Sequence, residues 1–436
     1  MLRLAYYADD FTGSTDALEQ LARAGLRTAL FLDPPTPAQR AAHGDLDALG
    51  VAGLTRSLAP DAMAATLRPA FTALRKLGAR HVHYKVCSTF DSAPHIGSIG
   101  CAIDTAREIF SASFVPVLAA APALGRYTAF GQHFARYGIG SIGAIHRLDR
   151  HPAISKHPVT PMNEADLRRH LALQTTAKIG LVELPTLHAG PAATLSATQA
   201  LIASGHAIIL YDAVSAADLL PIAATLEHFA TAPDAPLFSV GSSGIEHALC
   251  AHWSSENCRA GSPDPASLTP TTIAPAAPLL VVSGSCSPVT AEQIAHATAH
   301  GFTSIALDPT TDFAATAAAQ IIAALSAGRP VIAYTSAGAT RDGTLIPAQT
   351  LGTHLGQLAR IVLGSTNVHR LVIAGGDTSS YAARALGIQS LAYLAPFSPG
   401  APWCRASAPD SPADGLAVNF KGGQVGAPDY FTAATR

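Results

Sequence analysis

Asp9 and Asp10 form an adjacent pair of carboxylates directly after an apolar run, residues 2–7, and directly before Phe11-Thr12-Gly13-Ser14-Thr15-Asp16. The apolar run predicts a buried strand, and residues 17–24 predict an amphipathic helix. The pair therefore falls at the carboxyl end of a first strand, the edge where open α/β sheets bind ligands. Thr12, Gly13 and Ser14 supply small donors and backbone N–H groups at a helix N-terminus, which suits an anion. Paired acids facing an anion site point to chemistry on a negatively charged polyol. The plainer reading of such a pair is helix capping.

A second group follows at Lys85-Val86-Cys87-Ser88-Thr89-Phe90-Asp91-Ser92. Residues 81–85 predict a strand, so the Lys85 ammonium would reach the same edge. Ser88 and Thr89 add hydroxyls, and Asp91 adds another acid. Gly97 and Gly100 open a helix and permit close approach of a ligand; an ordinary Ser/Thr-rich turn is the plain alternative. Arg56 and Arg126 each follow a predicted strand, 48–53 and 114–119. A guanidinium there can hold a carboxylate with two parallel hydrogen bonds; an ion pair at the surface is the plain alternative. Residues 157–162 (His-Pro-Val-Thr-Pro-Met) read as a rigid extended loop, either a substrate wall or a connector. The histidines show no metal-ligand spacing, so no protein-bound structural metal is expected.

Further along lie two strand-to-helix turns of phosphate-binding character, Ser283-Gly284-Ser285-Cys286-Ser287 and Ala374-Gly375-Gly376-Asp377-Thr378-Ser379. Glycine lets the backbone approach phosphate oxygens, and the following helix supplies N–H groups and dipole. Neither turn is a Walker loop or a GxGxxG fingerprint. A third Gly-rich stretch, Lys421-Gly422-Gly423-Gln424-Val425-Gly426, offers Lys421 as a phosphate contact or as a solvated lysine.

These residues need a scaffold, and the chain predicts one. Strand-like segments at 2–7, 28–32, 48–53, 81–85, 114–119, 178–184, 207–211 and 237–240 alternate with helical ones. That pattern predicts a mostly parallel sheet covered on both faces. Residues 258–278 are rich in Pro, Ser, Thr and Ala and read as a linker. Alternation restarts with strands at 279–283, 304–307, 330–334 and 370–374. The expected architecture is two α/β domains, 1–257 and 279–436, joined by 258–278; a chain of 436 residues exceeds one ordinary core. Hydrophobic residues at 48% against 13% charged exclude a disordered chain. A net charge of −2 without a basic patch argues against a nucleic-acid partner. No apolar run reaches membrane-spanning length and no leader pattern precedes the first strand, so a cytoplasmic location is expected. The six cysteines form no CxxC pair and are expected to be free thiols.

Together these motifs resemble the four-carbon acid sugar kinase family. The matching segments are 8–16, 84–92, 122–131, 157–171, 283–287, 374–379 and 421–426, in order over nearly the whole chain. The resemblance implies an N-terminal acid-sugar-binding domain, a C-terminal nucleotide-binding domain and an active-site cleft between them. It implies ATP-dependent phosphorylation of the terminal 4-hydroxyl of a tetronate, with D-threonate, D-erythronate and 3-oxo-tetronate as substrate types. Cys87–Ser92 is most similar to the 3-oxo-tetronate branch. That branch continues with a G-N-I-G turn, whereas residues 93–100 differ here and place Ser98 where the Asn stands. In this frame Arg56 and Lys85 hold the acid, and Asp10 or Asp9 orients or deprotonates the hydroxyl. Ser283, Ser285, Gly375, Gly376, Asp377, Thr378, Gly422 and Gly423 surround ATP. Mg²⁺ bridges the phosphates, with Asp377 reaching it through water. A homodimer is the default assembly. The rival readings are a two-domain sugar-acid dehydrogenase and a non-catalytic sugar-acid sensor.

Overall fold

The computed structural model describes residues 2–137, 143–157, 159–231, 235–259, 278–336 and 346–436. Most of the expected linker lies outside the described residues. The chain divides into two compact units, Met1–Thr28 with Asp33–Tyr137 and Ile142–Thr269, and Pro270–Arg436 with Ala29–Leu32.

The first unit is built on seven parallel strands. They are β1 (Leu4–Ala8), β3 (Ala48–Ala52), β4 (His81–Lys85), β5 (Val115–Leu118), β9 (Ile179–Val182), β10 (Ile208–Tyr211) and β11 (Leu237–Gly241), in spatial order β3-β1-β4-β11-β5-β10-β9. Their central members are buried along their whole length, as parallel strands covered by helices must be. An aromatic core of Tyr7, Phe71, Tyr84, Phe110 and Phe238 packs on the sheet with ring centroids 5.1–6.2 Å apart. It fixes Tyr84, whose hydroxyl meets Thr55 Oγ1 at 2.8 Å beside the acidic edge.

Beside that sheet lies a small antiparallel one that the alternation did not predict: β6 (Arg126–Ala129), β7 (Gln132–Arg136) and β8 (Ile145–Arg147). Its first hairpin turns on Phe130 and Gly131, at φ 53° and 80°. Two positive φ values match the twist of a two-residue hairpin. The Asp212 carboxylate clamps the turn by accepting from both N–H groups, at 2.6 and 2.9 Å.

The second unit runs β13 (Thr303–Ala306), β14 (Val331–Tyr334), β12 (Leu280–Ser283), β15 (Arg370–Ala374) and β18 (Ala417–Lys421) in parallel, then β17 (Ala401–Ser407) and β16 (Ser390–Ser398) antiparallel. Sequence reading stopped at residue 385 and missed these last three strands. The edge is completed by β2 (Thr28–Phe31), which pairs with β16 through Ser390↔Phe31 and Leu391↔Leu30. Residues 29–32 thus group with the second unit, whereas the expected boundary placed them in the first. Among the described residues no helix is long and apolar enough to cross a membrane.

Candidate active site

Strand register builds the acidic edge. Ala8 pairs with Ala52 on one side and Lys85 on the other, and Lys85 pairs with Gly241. The residues just beyond these ends therefore share one edge. Asp10 is the N-cap of the helix Phe11–Arg23: its carboxylate accepts from Gly13 N at 2.8 Å and Thr12 Oγ1 at 2.7 Å. Capping thus describes Asp10 correctly. The Arg56 guanidinium pairs with Asp10 and lies 3.5 Å from Asp9 and 4.0 Å from Asp91. Burial works to raise Asp10, but Arg56 and the Thr12 and Gly13 donors outweigh it and keep it ionised.

Asp9 differs from its neighbour. Its Oδ1 is buried and finds no hydrogen-bond partner among the described residues. Burial raises its carboxyl to about 7 against the pull of Arg56. Two adjacent acids thus carry separate electrostatic states, set by which of them the helix N-terminus holds.

Lys85, expected to bind the acid, is buried at this edge. Its ammonium lies 3.5 Å from Asp16 and donates to the Val86 carbonyl at 3.1 Å. It serves as a buried counter-charge behind the acidic pair. In the following loop Thr89 Oγ1 donates to Asp91 at 2.9 Å, and the Ser88 carbonyl lies 2.9 Å from His133 Nε2. Phe90 is held at φ 58°, a conformation that costs energy for a bulky residue. Residues 93–100 press on Arg56: a Cβ on Gly97 would lie 2.5 Å from the Arg56 carbonyl, and Gly97 has φ 59°. Ser98 caps the helix Ile99–Phe110 by accepting from Cys101 N at 3.1 Å. Arg126 is 5% exposed. Its Nη1 donates to the carbonyls of Leu124, Gly125 and Arg136, and its Nε is buried without a partner among the described residues.

Sequence reading missed two features here. One is the Gly241-Ser242-Ser243-Gly244 turn between β11 and the helix Gly244–Arg259. It is of the same strand–small residue–helix type as the turns noticed in the second half, and the same criterion would have found it. The other is Glu246, buried 3.6 Å from His83 Nε2. Burial pushes Glu246 up to about 8 and His83 down to about 3, so both are uncharged at neutral pH.

In the second unit three turns converge at the carboxyl ends of β12, β15 and β18. Gly284 N donates to the Ala374 carbonyl and Gly375 N to the Lys421 carbonyl, both at 2.9 Å. Ser285 Oγ donates to Thr290 Oγ1 at 3.0 Å, and Thr290 Oγ1 donates to the Gly423 carbonyl at 3.1 Å. The Lys421 ammonium donates to Thr290 Oγ1 at 2.9 Å and to the Gly422 carbonyl at 3.0 Å. Lys421 is thus buried rather than solvated, and burial lowers it to about 7. Gly375 has φ 138°, and a side chain there would strike Thr378 Oγ1. That Thr378 oxygen is buried without a partner among the described residues. Ser283 Oγ accepts from Ser285 N at 3.4 Å, within the turn itself. Gly376 begins the helix Gly376–Ala385; the side chain of Asp377 lies outside the description. The residues expected to meet the nucleotide lie on these three turns and the start of the helix Gly376–Ala385. Among the described residues no cluster of three or more acidic, His or Cys side chains could hold a metal ion.

Comparison with known proteins places both units. Residues 4–249 match the model of a sugar-binding N-terminal domain, and residues 280–431 that of a nucleotide-binding C-terminal domain. The chain is 39% identical to a 3-oxo-isoapionate kinase of Paraburkholderia graminis, over 99% of this chain and 93% of that one. It is 32% identical to a 3-oxo-tetronate kinase of Cupriavidus necator, over 99% and 96%. Among solved structures, a Salmonella typhimurium protein described as a putative tRNA synthase superposes with a TM-score of 0.78 at 26% identity, covering 100% of this chain and 99% of that one. A Haemophilus influenzae protein superposes with a TM-score of 0.70 at 23% identity, over 99% and 98%, and shares the fold.

Proposed function

The chain belongs to the four-carbon acid sugar kinase family and is a sugar-acid kinase, and we propose that it transfers the γ-phosphoryl group of ATP to a hydroxyl of a 3-oxo sugar acid. The observation that carries this reading is a pair of unsatisfied buried groups of opposite charge in the first unit, Asp9 Oδ1 and Arg126 Nε. An acceptor with a hydroxyl at one end and a carboxylate at the other satisfies both. Among 3-oxo acids we place 3-oxo-isoapionate ahead of 3-oxo-tetronate. The identity of 39% to one kinase against 32% to the other favours it. So does the departure of residues 93–100 from the tetronate-type turn, at a segment packed against Arg56.

In this mechanism Arg126 pairs with the acid's carboxylate. Asp9 accepts the proton of the attacking hydroxyl, while Arg56 fixes both carboxylates of the pair and offsets their charge. Phosphoryl transfer depends mostly on positioning and charge stabilisation, so one well-placed acceptor suffices. The β12, β15 and β18 turns receive the triphosphate, with Thr378 Oγ1 as a free hydroxyl donor and Lys421 holding the Gly422–Gly423 backbone in place. Mg²⁺ enters as part of the substrate Mg-ATP. A dehydrogenase is disfavoured by the match of residues 280–431 to the nucleotide-binding domain of kinases, and a sensor by the same whole-chain similarity.

ADP release with Mg-ATP, run in parallel on 3-oxo-isoapionate, 3-oxo-tetronate, D-threonate and D-erythronate, tests the proposal. Turnover is expected with the 3-oxo acids, fastest with 3-oxo-isoapionate. Turnover confined to D-threonate or D-erythronate would overturn the substrate assignment.

A further inference from the structure

In the Gly241–Gly244 turn the Ser243 carbonyl accepts from His247 N at 2.9 Å and so caps the helix, but the Ser243 side chain takes no part. A side chain on Gly241 would overlap the Leu118 carbonyl, and one on Gly244 would overlap the Ala120 carbonyl, so both glycines are required by close backbone approach. Ser242 Oγ donates to the Ala120 carbonyl at 3.2 Å and accepts from Gly244 N at 3.2 Å. Ser243 Oγ does neither. Ser243 is 0% exposed, and its hydroxyl is buried without a partner among the described residues. A buried hydroxyl left unpaired is unfavourable, so its persistence calls for a partner that arrives from outside the chain.

The surroundings say what that partner is. Ser243 precedes the first residue of a 16-residue helix, whose dipole favours negative charge at this end. Ala120, which the turn packs against, is followed by Ala121, and Ala121 pairs through its backbone with Arg126. Arg126 N donates to the Ala121 carbonyl at 3.1 Å, and Ala121 N donates back to the Arg126 carbonyl at 3.1 Å. Ser243 thus sits between two residues held on Ala120, and Arg126 is paired to the adjacent Ala121; Ser243 Oγ and Arg126 Nε are both buried donors without a partner among the described residues. Glu246, in the helix's first turn, is held protonated at neutral pH by burial and does not repel an anion there.

We infer that Ser243 is an acceptor-binding residue whose hydroxyl donates to the same carboxylate that Arg126 pairs with. The inference rests on the sugar-acid kinase reading. It also orients the acid along the sheet edge. β11 and β1 are separated only by β4, about 10 Å at ordinary strand spacing. Side chains extending from both ends shorten that gap to the length of a short sugar acid, with its far hydroxyl at Asp9.

The test is Ser243→Ala in the full-length enzyme. The KM for the acid should rise by about 10- to 100-fold, the scale of one hydrogen bond to a charged group. The KM for ATP should stay unchanged, and Tm should hold or rise because no bond within the protein is lost. Ser242→Ala should instead lower Tm. An unchanged acid KM, or a Tm loss matching that of Ser242→Ala, overturns the inference while leaving the kinase reading intact. The acid-induced shift in Tm, measured without nucleotide, separates the two ideas. Binding by wild type that is lost in Ser243→Ala supports the site even if turnover is absent and the kinase reading falls. No binding of any sugar acid by wild type overturns both.

Discussion

Asp9 and Asp10 are chemically identical and adjacent, yet their surroundings give them different work. Asp10 spends its oxygens on Gly13, Thr12 and Arg56. Asp9 keeps one oxygen free and, through burial, a carboxyl raised to about 7. The proposed proton acceptor is therefore Asp9. Asp9→Asn should lower kcat by about 10²–10⁴-fold with little change in the KM for ATP. The wild-type kcat/KM for the acid should fall as pH drops through about 7, because the base must be unprotonated, and this limb should vanish in Asp9→Asn. The same raised value has a stability consequence. A carboxyl whose folded pKa lies above its unfolded one weakens the fold as pH rises from about 3.8 to about 7, and the full penalty is present above that. Asp9→Asn should accordingly raise the Tm of the unliganded enzyme at pH 8, and a lowered Tm there would count against the burial account.

At the scale of elements, the two ends of the first unit's sheet do different jobs. The carboxyl ends carry the site, and the amino ends carry the ties. Glu227, on the helix Ala216–Phe229, accepts from His81 Nε2 at 2.9 Å and from Trp253 Nε1 at 2.6 Å, and pairs with Arg80 at 2.9 Å. It thereby joins the start of β4 to two helices. Burial alone would raise Glu227, but His81, Trp253 and Arg80 together bring it down to about 2. A depressed carboxylate contributes stability above its unfolded pKa of about 4.5 and loses it as pH falls toward 2. Glu227→Gln should cost about 1–2 kcal/mol at pH 7 after solvent screening, by denaturant unfolding. It should also flatten the acid limb of stability between pH 4.5 and 2. Catalysis should be unaffected, since these contacts lie at the opposite ends of the strands from Asp9.

At the scale of the whole molecule, residues 4–249 match a sugar-binding domain and residues 280–431 a nucleotide-binding one, and the proposed direct transfer requires no phosphorylated side chain. Initial-velocity patterns with both substrates varied should therefore intersect, as a sequential mechanism demands; parallel lines would indicate a phosphoenzyme and remove Asp9 as a simple proton acceptor. Much of this organisation was legible in the sequence. Apolar runs fully buried in a parallel sheet are read from hydrophobicity alone, so every strand of the first unit's main sheet was expected within about two residues of its place. Turns between strand and helix carry small residues for local steric reasons, which exposed the Asp9–Asp10, Ser283–Ser287 and Gly375–Thr378 segments. What stayed hidden depended on partners distant in sequence. The antiparallel strands β16 and β17 show no clean alternation of burial and pair with what folding brings beside them, including β2 from some 360 residues earlier. Which carboxylate the Lys85 ammonium neighbours, whether Lys421 is solvated or buried, and which of two adjacent aspartates keeps an oxygen without a partner are likewise matters of through-space contact. The sequence by itself determined the strands, the helices and the chemical groups at their ends, because those follow from local polarity and backbone sterics. Only the tertiary structure decided which of those groups neutralise one another and which polar atoms, such as Asp9 Oδ1, Arg126 Nε and Ser243 Oγ, have no partner among the described residues, because burial and pairing are properties of the packed chain.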